Sequence, residues 1–225
     1  MVRSVQTKVE RAPLTRERVI QAAIELADEA GIAGLTMRAL GQRLGVEAMT
    51  LYYHVGRKDE LLGAIVDAVV GEFALPQTGL EWKSELRRAA TSAHEVLLRH
   101  PWAASLVLSG PAPTASRMRH MNAILGCLRG AGFDPDLTDH AYHALDSHIM
   151  GFTLWVVGMN VATNRELEER AAEFLRTLPR DELPHLAEHV DQHLKPRDPD
   201  AASDFAFGLD LILDGLERMR LDVAR

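Results

Sequence analysis

Cysteine is nearly absent, with Cys127 standing alone among 225 residues. One thiol cannot build an intrachain disulfide framework or a Cys-rich zinc site. The expectation is a reducing, cytoplasmic setting, with Cys127 as a small buried hydrophobe. Long apolar runs are missing too, and none reaches the ~18 residues that a membrane span requires. The opening MVRSVQTKVERAP holds no apolar signal-peptide core. It is polar, mildly basic and closed by Pro13, so residues 1–14 read as a flexible arm. Strand alternation, internal repeats and low-complexity tracts are likewise missing, which leaves an all-α chain. No nucleophile–base set, metal cluster or phosphate loop can be assembled, so an enzyme is disfavoured and no cofactor or metal is expected.

Charge is present but uneven. The chain carries a net −7. Residues 1–58 hold nine Lys/Arg against six Asp/Glu, a net of +3, while residues 59–225 hold 16 against 26, a net of −10. A locally basic head can grip phosphates, while an acidic body resists nonspecific adhesion to them.

Helical punctuation fills the rest. Thr15 and Gly31 bracket a first helix over Arg16–Ala30, with Val19, Ala23, Leu26 and Ala30 on one face. Thr36 and Gly45 bracket Met37–Leu44, and a third helix over Glu47–His54 ends before Gly56. A fourth over Lys58–Phe73 carries an apolar stripe. ALPQTG (74–79) then breaks the chain. The division is a head over residues 15–73, with its connecting helix, and a body over 74–225. In the body, helices are expected over Glu81–His100, Trp102–Leu108, Thr114–Gly130, Asp139–Val161 and Ala202–Leu221, with at most two short ones between 164 and 200. About nine to ten helices result.

Two short helices joined by a tight glycine turn make a helix-turn-helix unit. In GLTMRALGQRLGVEAMTLYYHVGRKDELL, the second helix crowds Thr50, Tyr52, Tyr53 and His54 into its C-terminal half. Hydroxyls and an imidazole suit phosphate oxygens and base edges. Arg38 can reach a guanine edge bidentately. Lys58 sits near a helix N-terminus, where ammonium and backbone N–H groups can hold a phosphate together. Two adjacent tyrosines on so short a helix are unusual for packing alone.

This stretch resembles the N-terminal domain of TetR-family repressors: a Gly-hydrophobic-Thr entry, a Leu-Gly-Val turn, a T-L-Y-aromatic-H-V recognition helix, then a Lys and a Leu-Leu pair. HALDSHIMGFTLWVVG and FAFGLDLILDGLERM are similar to the regulatory domain of the tetracycline-repressor branch. The resemblance implies that Thr36, Thr50, Tyr52 and Lys58 hold phosphates, that Arg38 reads a base, and that Tyr53 and His54 add base-edge or backbone contacts. Ala48 and Met49 stand where that branch has Gln-Pro. Neither can make a bidentate adenine contact, so a different operator is expected, with apolar contact to thymine methyls as one option. The implied function is a repressor that binds a palindromic operator as a homodimer and is released by a small effector. A DNA binder that activates, or that responds to a protein partner, is the alternative.

In that branch a drug–metal chelate is held by a His and a Glu, and a further His on the fourth helix touches the drug. The matching positions here are Val107, Met159 and Phe73, which do not support such a chelate. Candidate walls of a pocket for an apolar or aromatic molecule are Phe73, Trp102, Leu106, Met118, Met121, His143, Ser147, Met150, Trp155 and Met159. His185, His189 and His193 repeat at helical spacing, but the charged, proline-flanked segment reads as a solvated face. Gly151, Thr153, Leu154, Gly158, Gly208, Ile212 and Gly215 suit close helix approach across a two-fold dimer.

Overall fold

The computed structural model describes residues 13–77, 79–110, 113–160, 173–193 and 203–223, so residues 1–12 of the expected arm lie outside them, while its last residue, Leu14, packs against the core. Among the described residues every regular element is a helix. The head comprises α1 (Arg16–Gly34), α2 (Met37–Leu44), α3 (Ala48–Val55) and α4 (Lys58–Val70). The body comprises α5 (Trp82–Arg99), α6 (Pro101–Ser109), α7 (Ala115–Gly130), α8 (Pro135–Asn160), α9 (Pro184–His193) and α10 (Asp204–Val223).

Side-chain caps set most of the starts. Thr15 Oγ1 accepts from the N–H of Arg18 at 3.2 Å, and Thr36 Oγ1 from that of Ala39 at 3.1 Å. Glu81 accepts from Ser84 N–H at 2.7 Å to open α5, and Thr114 from Arg117 N–H at 3.3 Å to open α7. Three boundaries differ from the sequence expectation by three residues or more, one being the end of α4, which stops at Val70 and leaves Phe73 in the turn beyond. Gly31 takes φ 69°, ψ 170°, but the chain resumes one helical turn to Gly34, so the glycine kinks α1 and does not stop it. The long helix α8 begins at Pro135, four residues before Asp139. The Asp134 carboxylate accepts from Leu137 N–H at 2.8 Å, so the DPD that reads as a turn is a cap followed by proline in the first helical position.

One apolar core runs through head and body. In the head, Val19, Ala23, Leu35, Leu40, Leu51 and Ile65 are fully buried. Each such leucine or isoleucine contributes roughly 1.5–3 kcal/mol through removal from water. α4 belongs to both halves, since it packs on α1 and α3 and also on α5, α6 and α7.

Polar joints fix the head against the body. Asp28 on α1 accepts from Trp102 Nε1–H at 2.7 Å and pairs with His100 Nδ1 at 2.9 Å. Asp67 on α4 accepts from Ser116 N–H at 2.7 Å, at the first turn of α7. Burial opposes ionisation of Asp67, but hydrogen bonds from Ser116 and Thr114 outweigh it and hold the carboxyl below its usual range. Within the body, Arg117 grips both oxygens of Asp146 at 2.6 Å, joining α7 to α8.

Candidate nucleic-acid interface

The α2–α3 corner depends on two glycines. Gly45 lies in the left-handed region at φ 69°, ψ 35°, and its N–H returns to Gln42 O at 3.2 Å. Gly41 was not singled out from sequence. A Cβ there would stand 2.8 Å from the carbonyl oxygen of Val46, so only glycine lets α2 meet the turn this closely. Its signal was available: a glycine inside a helical pattern usually has a packing reason. Leu40, Leu51 and Val55 then face inward.

The opposite face of α3 is open. Tyr53 is 86% exposed, Met49 66% and Tyr52 42%. Thr50 is also exposed, and His54 is half-buried in the last turn. Ala48 departs from its expected place, because it is partly turned into the head core beside the Gly41 approach. The outward apolar group at the start of α3 is therefore Met49. Arg38 and Thr36 are exposed at the start of α2. Thr36 spends one oxygen lone pair on the cap, and its hydroxyl proton can still be donated. Lys58 is the exposed first residue of α4, and Glu60 Oε1 accepts from the N–H of Arg57 at 3.1 Å to hold that end.

Arg43 adds little to this surface. Its guanidinium takes both oxygens of Glu29, at 2.6 and 2.9 Å, and one of Glu25 at 3.1 Å. Those carboxylates raise its already high pKa and staple α2 to α1. The exposed donor set is thus Thr36, Arg38, Thr50, Tyr52, Tyr53 and Lys58, gathered on two helices and the start of a third.

A cavity of about 340 Å³ lies behind the head. Leu62, Val66 and Val70 of α4 form one wall, Leu106 and Val107 of α6 another, and Thr114 and Arg117 of α7 a third. Asp59, one residue after Lys58, also lines it. Of the ten expected pocket residues, Leu106 alone lies on this cavity. Phe73 is 4% exposed and meets His120 edge to face. Trp102 is buried with its N–H on Asp28, and Met150 is buried in the body core. Met118, Met121, His143, Ser147, Trp155 and Met159 are exposed on the protomer. Helical spacing identifies which residues share a face but not which face meets a void. Val107 brings an apolar side chain to the wall where the resemblance places a metal-binding His.

Two dimer candidates are also relocated. Thr153 is fully buried, donating to Ile149 O at 2.6 Å and meeting His94 Nδ1 at 2.7 Å. Gly208 makes room within the chain, since a Cβ there would stand 2.6 Å from the His148 ring. The faces left open on α8 and α10 carry Trp155, Met159, Phe207, Leu211 and Met219. His185 and His189 are exposed, and among the described residues no three His, Cys, Asp or Glu side chains gather to hold a metal. Among those residues, too, no helix is long and apolar enough to cross a membrane.

Residues 19–65 match the family described as bacterial regulatory proteins, tetR family, and residues 75–220 match the tetracyclin repressor-like C-terminal domain. The class C tetracycline repressor protein of Escherichia coli is 34% identical over 211 residues, covering 92% of this chain and 93% of that protein. The Streptomyces coelicolor TetR family protein ActR, solved in complex with actinorhodin, superposes with a TM-score of 0.72 at 26% identity, covering 93% of this chain and 99% of ActR. BioQ, solved with its double-stranded DNA operator, gives a TM-score of 0.59 at 25% identity, covering 91% and 98%. With both halves matched and a repressor aligned along nearly its whole length, the chain belongs to the TetR family of bacterial transcriptional regulators.

Proposed function

We propose that this chain is a cytoplasmic, homodimeric repressor that holds a palindromic operator until a small apolar or aromatic effector enters the body and releases it. One observation carries the reading: α4 begins at Lys58, beside the exposed face of α3, and its Leu62, Val66 and Val70 wall the body cavity. A molecule that wedges this cavity pushes on the helix that carries the head. The exposed apolar faces of α8 and α10 support a two-fold dimer, which sets two recognition helices one DNA turn apart. Effector binding then favours a spacing that no longer fits both half-sites. Thr36, Thr50, Tyr52 and Lys58 hold phosphates in this reading, Arg38 and Met49 meet bases, and Tyr53 and His54 add contacts at the groove edge.

The test uses DNA fragments tiling the region around the chain's own gene, with binding measured at fixed salt. Tyr52→Ala is expected to cost about 1–3 kcal/mol of affinity for the bound fragment and to leave the dimer intact by sedimentation. Unchanged affinity overturns the α3 assignment. A monomer that binds DNA as tightly as wild type overturns the dimer.

A further inference from the structure

We infer that the inner end of the α4–α7 cavity is a polar subsite, where His120 exchanges hydrogen bonds with a hydroxyl group on a planar aromatic effector. The inference rests on the reading of this cavity as the effector site.

Val66 and Val70 line the cavity from α4, and Thr114 and Arg117 line it from α7. Three residues further along each wall stand Phe73 and His120. Their rings meet edge to face, with centroids 5.2 Å apart and planes at 76°. The pair stands beyond the residues that line the cavity, where its α4 and α7 walls continue. Phe73 lies just past the end of α4, in a turn where its N–H reaches Val70 O at 3.2 Å. A ring in a turn can swing aside more readily than one fixed inside a helix.

His120 is 1% exposed, and neither of its ring nitrogens has a hydrogen-bond partner among the described residues. A buried unsatisfied polar group is costly, and native proteins rarely keep one without a reason. Burial pushes the imidazole down to about 4, with the nearby Arg117 charge acting the same way and Asp146 opposing it. The ring is accordingly neutral at physiological pH, with one nitrogen a donor and the other an acceptor. Arg117 and Asp146 are committed to each other through both carboxylate oxygens, so the surroundings favour neither a cation nor an anion. A hydroxyl can both give and take a hydrogen bond, which matches either nitrogen. The apolar part of the cavity wall is Leu62, Val66, Val70, Leu106 and Val107, with Asp59, Ser109, Thr114 and Arg117 as its polar members. At about 340 Å³ it lies near the lower end of the range for small-molecule sites, which favours a compact fused-ring body.

Titration calorimetry of the full chain with 2-naphthol and 2-methylnaphthalene tests this. The two probes share a ring system and a substituent of similar size, but only the first can give or take a hydrogen bond. Wild type is expected to prefer 2-naphthol by roughly tenfold. His120→Phe should abolish the preference and leave binding of 2-methylnaphthalene unchanged. His120→Gln, which keeps a donor and an acceptor, should retain part of it. Leu106→Trp, which fills the cavity, should weaken both probes. Equal affinities in wild type, or a preference that survives in His120→Phe, overturn the subsite and leave the cavity reading standing. If neither probe binds, or if Leu106→Trp leaves both unaffected, the cavity reading falls with it.

Discussion

The head and the body display their chemistry in opposite ways. On α3 the distinctive side chains point outward, with Tyr53 86% exposed. Where α4 ends against α7 in the body they are buried, with His120 at 1% and Phe73 at 4%. An exposed aromatic breaks the rule that large apolar groups avoid water, so it is conspicuous in a sequence. A buried imidazole on the apolar face of α7 looks like one more core position. A candidate site at a surface is therefore announced by a departure from packing, and a candidate site in the interior is concealed by agreement with it.

That contrast can be broken at several points. The largest effect is expected at Leu51, which sits on the buried side of the same short helix as the tyrosines. Leu51→Ala should cost about 2–5 kcal/mol in chemical denaturation. A loss below about 1 kcal/mol would mean that the two sides of α3 are less distinct than the structure shows. Next comes acid sensitivity. His120 titrates near 6.5 when unfolded and about 4 when folded. Between those values the unfolded chain holds more protons, so stability falls as pH drops from 6.5 towards 4. The slope from one group is at most about 1.4 kcal/mol per pH unit. His94 is lowered by burial too and contributes in the same direction. His120→Phe should remove its share, read as a flatter dependence of the thermal midpoint between pH 7 and 4. An unchanged slope would place the ring in water. The smallest effect is at Lys58. Lys58→Ala should leave stability within about 0.5 kcal/mol, yet lower the salt slope of DNA binding by about 1.8, which is about 0.9 for each protomer of the dimer. An unaltered slope would remove Lys58 from the phosphate contacts.

The all-α class and the helix-turn-helix were legible because local chemistry determines them. Thr36 and Gly45 bound α2 as expected, since a cap hydroxyl and a left-handed glycine act within a few residues. Gly31 and Asp134–Pro135 were harder, because each signal fits either a turn or a helix end, and packing decides which. The exposed set on α2, α3 and the start of α4 was largely readable, apart from Ala48 and the half-buried His54. The cavity was not. Leu106 was anticipated, whereas Val66, Val70 and Arg117 were not, because a void is defined by three helices that are distant in sequence. Thr153 and Gly208 show the same limit: small residues signal a close approach without saying which helix approaches.

The hydrogen bond from Trp102 to Asp28 has an optical consequence. The chain has three tryptophans. Trp82 is buried against Phe133 with Arg220 over its ring, and Trp155 is 55% exposed. Trp102 alone stands at the seam between α1 and α6, its indole N–H held by a carboxylate of the head. Any rotation that parts the seam strips that bond and wets the ring, which moves its fluorescence to longer wavelength. With phenylalanine at positions 82 and 155, the protein would report the swing of its own head in real time, with no attached dye.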